Sequence, residues 1–430
     1  LQLGRLDTAL FHAKKAVEIF SIIKEGHPWH MAVLTDLARV YDKLGKYNAA
    51  QETFTFATEL FTKRYFSLLA SDLDIFKFNE YYKNLRTISS AAEFSFLSYK
   101  RKNNLNDLNL AFVNYQKARI TTAEFEMARL SNRFNSLSAD SSEQVRKYQV
   151  LSDKIDELKW SQLNEIISGN KDKIDKSQLF YEINELESKK NNLKINSEPL
   201  NKIKNLNDRI LNLSEVQKSL SDDQLLVFPA ETFSDAPVSV FLISNKKITT
   251  LRTTLNASDL RDVGLKLRES LNFNGTSNIT DLPKFDLDLS FKIFRELFSD
   301  VLNDFKNIKD LIVIPSWPIS NLPLAVLVSD DPAKTDYGYD KQSWLGLEKN
   351  ISYLPSVSDL KMLEKSNNTE LFASFIGFGD PELGQNTNNL RGIKFVDIED
   401  DELSKSYQLD LLPSLPSTAE ELQAIKNIFS

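Results

Sequence analysis

Apolar residues recur with two different periods along the 430-residue chain. Up to about residue 220 they stand three or four positions apart, which is typical of amphipathic helices, whereas the later ones form short continuous runs, which are typical of buried strands. Proline follows the same division, because twelve of the thirteen prolines lie from Pro199 onward and none lies between Pro28 and Pro199. Since proline interrupts helices, the pattern predicts a helical first half and a mixed second half.

The first helices contain an internal repeat with a period of 41 residues, marked by Leu3-Gly4 and Leu44-Gly45. Small residues at regular positions of the second copy would let two antiparallel helices approach closely. This pattern resembles a tetratricopeptide repeat, to which we assign residues 1–62, although Thr62 stands where the family usually has proline. The residues that carry the resemblance are Leu34, Leu37, Ala38, Tyr41, Ala50, Phe54 and Ala57.

Two further helical segments are predicted before the strands begin. In residues 63–135, Ala111 and Ala118 follow a turn at Asn103-Asn104, so a degenerate repeat and an ordinary helical hairpin fit equally well. Residues 136–220 are polar but keep a helical spacing of apolar residues, which predicts a long helical spacer or hairpin. No functional site is expected there, because charge-rich helix faces are usually solvated.

Residues 221–430 alternate between strands and helices, which predicts an α/β domain with a mostly parallel sheet. In such sheets ligands collect at the carboxyl ends of the strands. Helices are predicted at Leu260–Leu271, at Phe285–Phe305, from Leu324 onward and at Ser356–Leu363. Strands are predicted at Gln224–Phe228, Val238–Ile243, Lys247–Leu251, Leu311–Pro315, Ile351–Pro355 and Leu371–Phe378, the second and third forming a hairpin.

The amino-acid composition excludes several classes of function for this chain. The net charge of −7 argues against a dominant nucleic-acid-binding surface. The lack of cysteine removes disulfides, thiolate metal ligands and a cysteine nucleophile from this chain. No apolar run reaches the roughly 18 residues of a membrane-spanning helix, so we expect a cytoplasmic location. Because the chain begins without methionine and stops within a predicted helix at Ser430, we interpret it as a piece of a longer protein.

The order of repeats, helical spacer and α/β segment resembles a CHAT-domain protein, which belongs to the caspase and separase group of cysteine peptidases. This resemblance implies an N-terminal tetratricopeptide-like α-solenoid followed by an incomplete caspase-like α/β domain at residues 221–430. It implies no cofactor. The matching motifs are Asp222–Leu226, Ile312–Pro315, Leu322–Leu327, Ile351–Ser356, Gly377–Pro381 and Leu415–Glu421.

The resemblance also implies a cysteine thiolate that attacks a peptide carbonyl and a histidine that handles the proton. In the family both follow later strands, after the segment matched here by Pro416–Glu421, whereas His12, His27 and His30 all lie in the repeats. No catalytic residue is therefore assigned, and this chain is predicted to be inactive by itself. Two functions remain open: the repeat-bearing regulatory and scaffold portion of a CHAT-type cysteine peptidase, or a non-catalytic scaffold with a degenerate CHAT-like docking domain.

Two candidate binding sites follow from the resemblance. Asp380, at the carboxyl end of the last predicted strand, is a candidate for shaping a substrate pocket, with an Asp-Pro turn as the more common explanation. The concave face of the repeats commonly holds a protein or peptide partner. Here that face would present Thr35, Asp36, Arg39, Asp42 and Lys43.

No metal site is assigned from the sequence. His27 and His30 have no third ligand nearby, and a loop-to-helix transition explains them better. We interpret Asp222-Asp223 as a turn ahead of a strand and the acidic run Asp397–Glu402 as a solvated segment.

Overall fold

The structure of the chain is a computed structural model. Residues 1–364 form one unit and residues 365–430 form a second. In the second unit the described residues Glu421–Ala424 are helical, and the predicted strand Leu371–Phe378 lies outside the described residues. The structure describes residues 6–23, 26–66, 75–120, 124, 139–168, 176–195, 206–271, 284–299, 307–361 and 421–424.

The described residues of the repeat region form three helices, of which the last two form an antiparallel pair. Ala38, Ala50 and Phe54 are buried between them, with Tyr41 packed against the cluster. The alanines leave room for the two backbones to approach each other, as the repeat pattern predicts. The helices are α1 (Leu6–Ile23), α2 (Pro28–Lys43) and α3 (Tyr47–Phe61).

Local sequence determines where α2 begins and ends. Pro28 occupies its first turn, and His27 Nδ1 accepts a hydrogen bond from the Trp29 N–H at 3.2 Å. His27 therefore caps the helix. Beyond the helix, Gly45 adopts φ = +70°, a conformation that side chains disfavour.

The missing proline at Thr62 has a visible consequence. The backbone continues from α3 into a π-helical turn, Thr62–Phe66, instead of stopping. This turn buries the rings of Tyr65 and Phe66, which lie 5.9 and 6.3 Å from the ring of Tyr81.

Residues 75–117 form three further helices. The last two make a hairpin that turns at Asn103, where φ is +51°, and Asn104 caps the second of them by accepting a hydrogen bond from the Asn106 N–H at 2.9 Å. The turn at Asn103-Asn104 is thus confirmed. The helices are α4 (Ile75–Lys83), α5 (Leu85–Lys102) and α6 (Leu105–Lys117), and α5 packs on both α2 and α3.

The predicted helical hairpin in the middle segment is present. Ile155 packs against Leu179 and Ile183 across the two helices, and Lys159 Nζ lies 2.8 Å from Glu187 Oε1. The hairpin consists of α7 (Ala139–Ser168) and α8 (Lys176–Ile195), and a short helix, α9 (Leu213–Ser219), precedes the first strand.

The five described strands form one mixed sheet in the order β3-β2-β1-β4-β5. β1 pairs in parallel with β4, and β4 with β5, while the other two pairings are antiparallel. Every predicted strand up to residue 361 is present, including the hairpin. The strands are β1 (Gln224–Ala230), β2 (Pro237–Ile243), β3 (Ile248–Asn256), β4 (Asp310–Val313) and β5 (Asn350–Tyr353).

Helices cover both faces of this sheet. Residues of β1 alternate, so that Leu225 and Val227 face one layer while Leu226 and Phe228 face the other. Burial on both faces explains the continuous apolar runs in the sequence. The first layer consists of α10 (Ala257–Glu269) and α11 (Leu287–Phe298), and the second is built largely from α5 and α6.

The connection between β4 and β5 differs from the prediction. A helix was expected from Leu324, but only one 3₁₀ turn forms at Leu324–Val326. Leu327 is extended and its C=O accepts a hydrogen bond from the Leu345 N–H at 2.8 Å. The pairing of Val328 with Trp344 holds the chain in this path, and a four-residue helix, α12 (Leu345–Glu348), leads into β5.

The helix predicted at Ser356–Leu363 begins with a 3₁₀ turn, and Leu360 and Lys361 are helical at the end of the described range. Val357–Asp359 form a 3₁₀ turn, with Ser356 and Asp359 in a reciprocal capping box. Arg209 pairs with Asp359 at 3.5 Å, and burial lowers the pKa of the Arg209 guanidinium.

An aromatic cluster joins the α5–α6 hairpin to the sheet. The Phe112 ring lies 5.4 Å from the Phe228 ring and 5.3 Å from the Phe241 ring, and the Phe96 ring lies 5.8 Å from that of Phe241. Residues predicted as a degenerate repeat within 63–135 therefore form one layer over the sheet of the predicted 221–430 domain. The two segments share a single core.

This shared core yields a stability prediction. Phe112→Ala removes a fully buried ring and should lower the free energy of unfolding by about 3–5 kcal/mol. Chemical denaturation followed by circular dichroism measures the loss. Leu110→Ala is the matched control, because Leu110 lies on the same helix but is 41% exposed. Equal effects of the two substitutions would contradict the packing described here.

A buried lysine closes the junction between α6 and the end of α3. Lys117 is 8% exposed, and its Nζ donates a hydrogen bond to Thr62 Oγ1 at 2.9 Å. It also lies 5.6 Å from the centroid of the Phe66 ring. Burial lowers the pKa of the Lys117 ammonium to about 8, because the charged form loses solvation.

The lowered pKa of Lys117 predicts a pH-dependent stability. Below pH 8 the folded and unfolded states both bind the proton, whereas above it the unfolded state binds more protons, so stability rises with pH. Relative to Lys117→Met, the free energy of unfolding of the wild type should rise by up to roughly 3 kcal/mol toward pH 10.5. Urea unfolding at several pH values tests this. The exposed Lys43, replaced by Met, serves as control, and a pH-independent difference for Lys117 would refute the prediction.

Candidate functional site

The five residues predicted for the concave face of the repeats do not share one environment. Thr35 is 1% exposed, and its hydroxyl donates to the Met31 C=O at 2.7 Å and lies 3.1 Å from the Thr87 hydroxyl. Because α5 packs over this side of α2, Thr35 does not present its side chain on the surface of the described structure. This departs from the expectation.

The other four residues lie at the surface. The Asp36 carboxylate lies 2.8 Å from the Arg86 guanidinium on α5, and the Asp42 carboxylate lies 3.9 Å from that of Arg101. Both acids thus face α5 and pair with it. The two remaining residues, Arg39 and Lys43, are exposed.

The Arg101 guanidinium also stacks on aromatic rings. It lies 4.4 Å from the centroid of the Tyr47 ring and 5.6 Å from that of the Phe94 ring. Cation–π contacts of this kind, together with the nearby Asp42, hold α5 on the repeat helices. Asp380, the substrate-pocket candidate, and the acidic run Asp397–Glu402 lie outside the described residues.

A polar cluster lies at the carboxyl ends of the parallel strands in the described α/β part. The last ladder bond between β1 and β4 runs from the Ile314 N–H to the Val227 C=O at 2.9 Å. Pro229 has no N–H to continue the ladder, and Pro315 follows at the same level of β4. The two strands therefore separate at this edge of the sheet.

Arg119, which follows α6, enters the gap between these strand ends. Its guanidinium donates to the Pro229 C=O at 2.9 Å and to the Pro315 C=O. It lies 5.1 Å from the centroid of the Phe228 ring, and its Nε lies 3.9 Å from Glu231 Oε1. The guanidinium is thus neutralised by Glu231 and satisfied by strand-end carbonyls.

Glu231 in turn contacts the loop after β4. Its Oε1 accepts a hydrogen bond from the Trp317 N–H at 3.3 Å, while the Trp317 ring is 45% exposed and lies 5.2 Å from the Arg261 guanidinium. Three buried oxygens nearby have no hydrogen-bond partner among the described residues: Glu231 Oε2, Thr232 Oγ1 and Ser316 Oγ. Such groups are uncommon in folded proteins, and they mark this edge as the candidate site.

The sequence assigned no role to Ser316 and Trp317, which follow the predicted strand Leu311–Pro315, and gave no indication of Arg119 or Glu231. These two residues lie far apart in the sequence, and neither belongs to a recognisable motif. Pro315 was the available signal, because it predicted where β4 ends.

A second polar network lies within the interface between the helices and the sheet. The Tyr115 hydroxyl lies 3.1 Å from Glu93 Oε2 and 3.1 Å from the Ser239 hydroxyl, and Glu93 also pairs with Arg252 on β3. Burial raises the pKa of the Tyr115 hydroxyl well above its usual value. The phenol therefore stays protonated and donates.

The opposite edge of the sheet carries the predicted turn at Asp222-Asp223. The Asp223 C=O accepts hydrogen bonds from the Lys309 and Asp310 N–H groups at 2.8 and 3.1 Å. A hydrogen bond from Asn245 lowers the pKa of the Asp222 carboxyl. A shallow open hollow of about 470 Å³ lies here, lined by Asp222, Asp223, Lys246, Asn307 and Lys309. The hydrogen bonds of the two aspartates support the turn interpretation.

The described residues contain neither a candidate metal site nor a candidate membrane-spanning helix. No group of three or more His, Cys, Asp or Glu side chains that could hold a metal ion occurs in the described ranges. None of the described helices combines the length and apolar character needed to cross a membrane.

Comparison with protein-family models identifies two regions. Residues 1–63 match the tetratricopeptide repeat, a repeat that generally mediates protein interactions, and residues 287–430 match the CHAT domain. The first three strands of the sheet precede the second match, yet they belong to the same sheet as β4 and β5. A search of curated proteins found no match.

Proposed function

We propose that this chain, a CHAT-domain protein with N-terminal tetratricopeptide repeats, is the regulatory and scaffold portion of a CHAT-type cysteine peptidase. The repeats bind a protein or peptide partner, and the α/β part forms half of a caspase-like fold. The observation that carries the proposal is the position of α5. This one helix packs on the repeat helices α2 and α3 and, together with α6, on the sheet.

Contacts on opposite sides of α5 support a regulatory role for the repeats. Toward the repeats, Arg86 and Arg101 pair with Asp36 and Asp42. Toward the sheet, Glu93 pairs with Arg252 and Lys100 Nζ donates to the Thr250 C=O at 2.9 Å. A partner that competes for the two aspartates would disturb the helix that covers the sheet.

The chemistry of the proposed peptidase needs groups that this chain does not contain. There is no cysteine in the sequence, and His27 and His30 lie at the start of α2, while His12 lies on α1. A thiolate nucleophile and its histidine would have to be placed at the carboxyl ends of the parallel strands, where ligands of α/β sheets bind. The strands described here would support that site without supplying its reacting groups.

The alternative is a non-catalytic interaction scaffold with a degenerate CHAT-like docking domain. The same lack of cysteine, together with the absence of histidine after His30, favours it. In that case the carboxyl edge would bind a partner without any covalent step. The two functions differ in one measurable property, which is the reactivity of the complete protein toward thiol-directed probes.

We expect the coding sequence to continue beyond Ser430 with a strand that ends in histidine and another that ends in cysteine, within about one hundred residues, a domain-size limit. The complete protein should then react covalently with a thiol-reactive peptidyl probe. Replacement of that cysteine by alanine is the control and should abolish labelling. A complete protein that contains both strands and is never labelled, with or without a partner, would favour the scaffold.

The chain of residues 1–430 by itself should not hydrolyse peptides. Purified protein incubated with a mixed peptide library, followed by mass spectrometry, measures this. An Arg119→Ala variant prepared in parallel controls for contaminating peptidases, since contamination would appear in both samples. Turnover that copurifies with the wild type and disappears in the variant would refute the proposal that the nucleophile lies outside this chain.

A further inference from the structure

The backbone of Arg119 is fixed by a residue of another helix. The Tyr81 hydroxyl of α4 donates to the Lys117 C=O at 2.7 Å and accepts a hydrogen bond from the Ile120 N–H at 3.1 Å. These two bonds span the turn that contains Arg119. The turn therefore moves with α4 and the end of α6, and not with the sheet alone.

Tyr81 is itself held by the end of the repeat. Its ring lies 5.9 Å from the rings of both Phe61 and Tyr65, and 6.3 Å from the ring of Phe66. These residues belong to the end of α3 and to the π-helical turn after it. All four side chains are buried in one cluster.

At its other end, Arg119 bridges the separated strands. The guanidinium binds one carbonyl from the end of β1 and one from the end of β4, and it pairs with Glu231. Glu231 accepts the Trp317 N–H. This guanidinium is only 15% exposed, and removing the partners of a largely buried charge is unfavourable.

We propose that Arg119 is a positioning residue that transmits the arrangement of the repeat end to the carboxyl edge of the sheet. The two hydrogen bonds of the Tyr81 hydroxyl to Lys117 and Ile120, which we call the Tyr81 clamp, tie Arg119 to the repeat end. The Arg119 guanidinium then sets the width of the gap between β1 and β4 and fixes Glu231 and the loop that contains Trp317. The inference rests on the proposed function only in identifying this edge as the substrate side. The coupling itself concerns groups of this chain and needs no catalysis.

The charge and shape of arginine are both needed for this role. Its planar fork reaches two carbonyls on different strands from two separate nitrogens, whereas a lysine ammonium carries its three N–H donors on one nitrogen. Arg119→Lys therefore keeps the charge beside Glu231 but should lose one of the two strand contacts. If the residue only filled space or balanced charge, lysine would replace it without effect at Trp317.

The experiment labels residues 1–430 with 5-fluorotryptophan and records ¹⁹F NMR spectra. The chain has four tryptophans, and Trp317→Phe assigns the signal of interest. We expect Arg119→Lys and Tyr81→Phe each to shift the Trp317 signal, while the signals of Trp29 and Trp344 stay in place. Tyr81→Phe should produce no additional shift when Arg119 is already lysine, because the path between them is then broken.

Matched variants separate transmission from general loosening. Tyr65→Phe removes a hydrogen bond to Glu80 in the same cluster but leaves the Tyr81 clamp intact, and Arg86→Lys changes an exposed arginine on α5. Neither should shift the Trp317 signal. Hydrogen exchange provides a second readout, in which Tyr81→Phe should speed exchange of the Trp317 amide about tenfold, as expected for the opening of one hydrogen bond.

Several results would overturn the inference. The inference fails if the Arg119→Lys variant, with an unchanged circular dichroism spectrum, leaves the Trp317 signal in place. It also fails if Tyr81→Phe shifts the Trp317 signal equally in the wild type and in the Arg119→Lys variant. If the Arg119→Lys variant does not fold, the comparison of Tyr81→Phe with Tyr65→Phe decides. Equal hydrogen-exchange rates of the Trp317 amide in these two variants would refute the coupling. Failure of probe labelling in the complete protein would refute the peptidase proposal and leave these measurements unaffected.

Discussion

The packing of the α5–α6 hairpin on the sheet is the interaction on which the rest of the structure depends. The Phe112 ring contacts the rings of Phe228 and Phe241, the Phe96 ring contacts that of Phe241, and all four rings are buried. Burying large aromatic side chains gives much of the stabilisation of such an interface. Because the same hairpin also packs on the repeat helices, the repeats and the sheet share this layer. A change in one cannot leave the interface of the other untouched, since close-packed cores transmit displacements.

Polar groups give this apolar interface a defined register. Tyr115 reaches Glu93 and Ser239, and Glu93 reaches Arg252. Aromatic rings alone tolerate small shifts, whereas buried hydrogen-bonding groups are costly when they lose their partners. The network therefore favours one position of the hairpin on the sheet. Arg119 applies the same principle at the carboxyl edge, where it binds two strand ends that no longer bind each other.

The described residues supply groups that would support a site, whereas the reacting groups of a cysteine peptidase are not among them. The carboxyl edge has two separated strand ends bridged by Arg119, a paired guanidinium and carboxylate, and an exposed tryptophan, but the chain has neither cysteine nor, after His30, histidine. A family match to a CHAT domain at residues 287–430 and to tetratricopeptide repeats at residues 1–63 fits such a division. Under the proposed function, the helices would regulate a site that the sheet supports.

The sequence by itself determined the repeat helices, the helical hairpins, the hairpin of β2 and β3 and the strands that end in proline, because these depend on local periodicity and turn chemistry. It also shows that these 430 residues contain no cysteine. Only the tertiary structure decided that α5 and α6 belong to the sheet as much as to the repeats, that Thr35 is buried, and that Leu324–Val326 forms a single turn. It alone brought Arg119 to Glu231, since contacts between distant residues follow from packing and leave no periodic signal in the sequence.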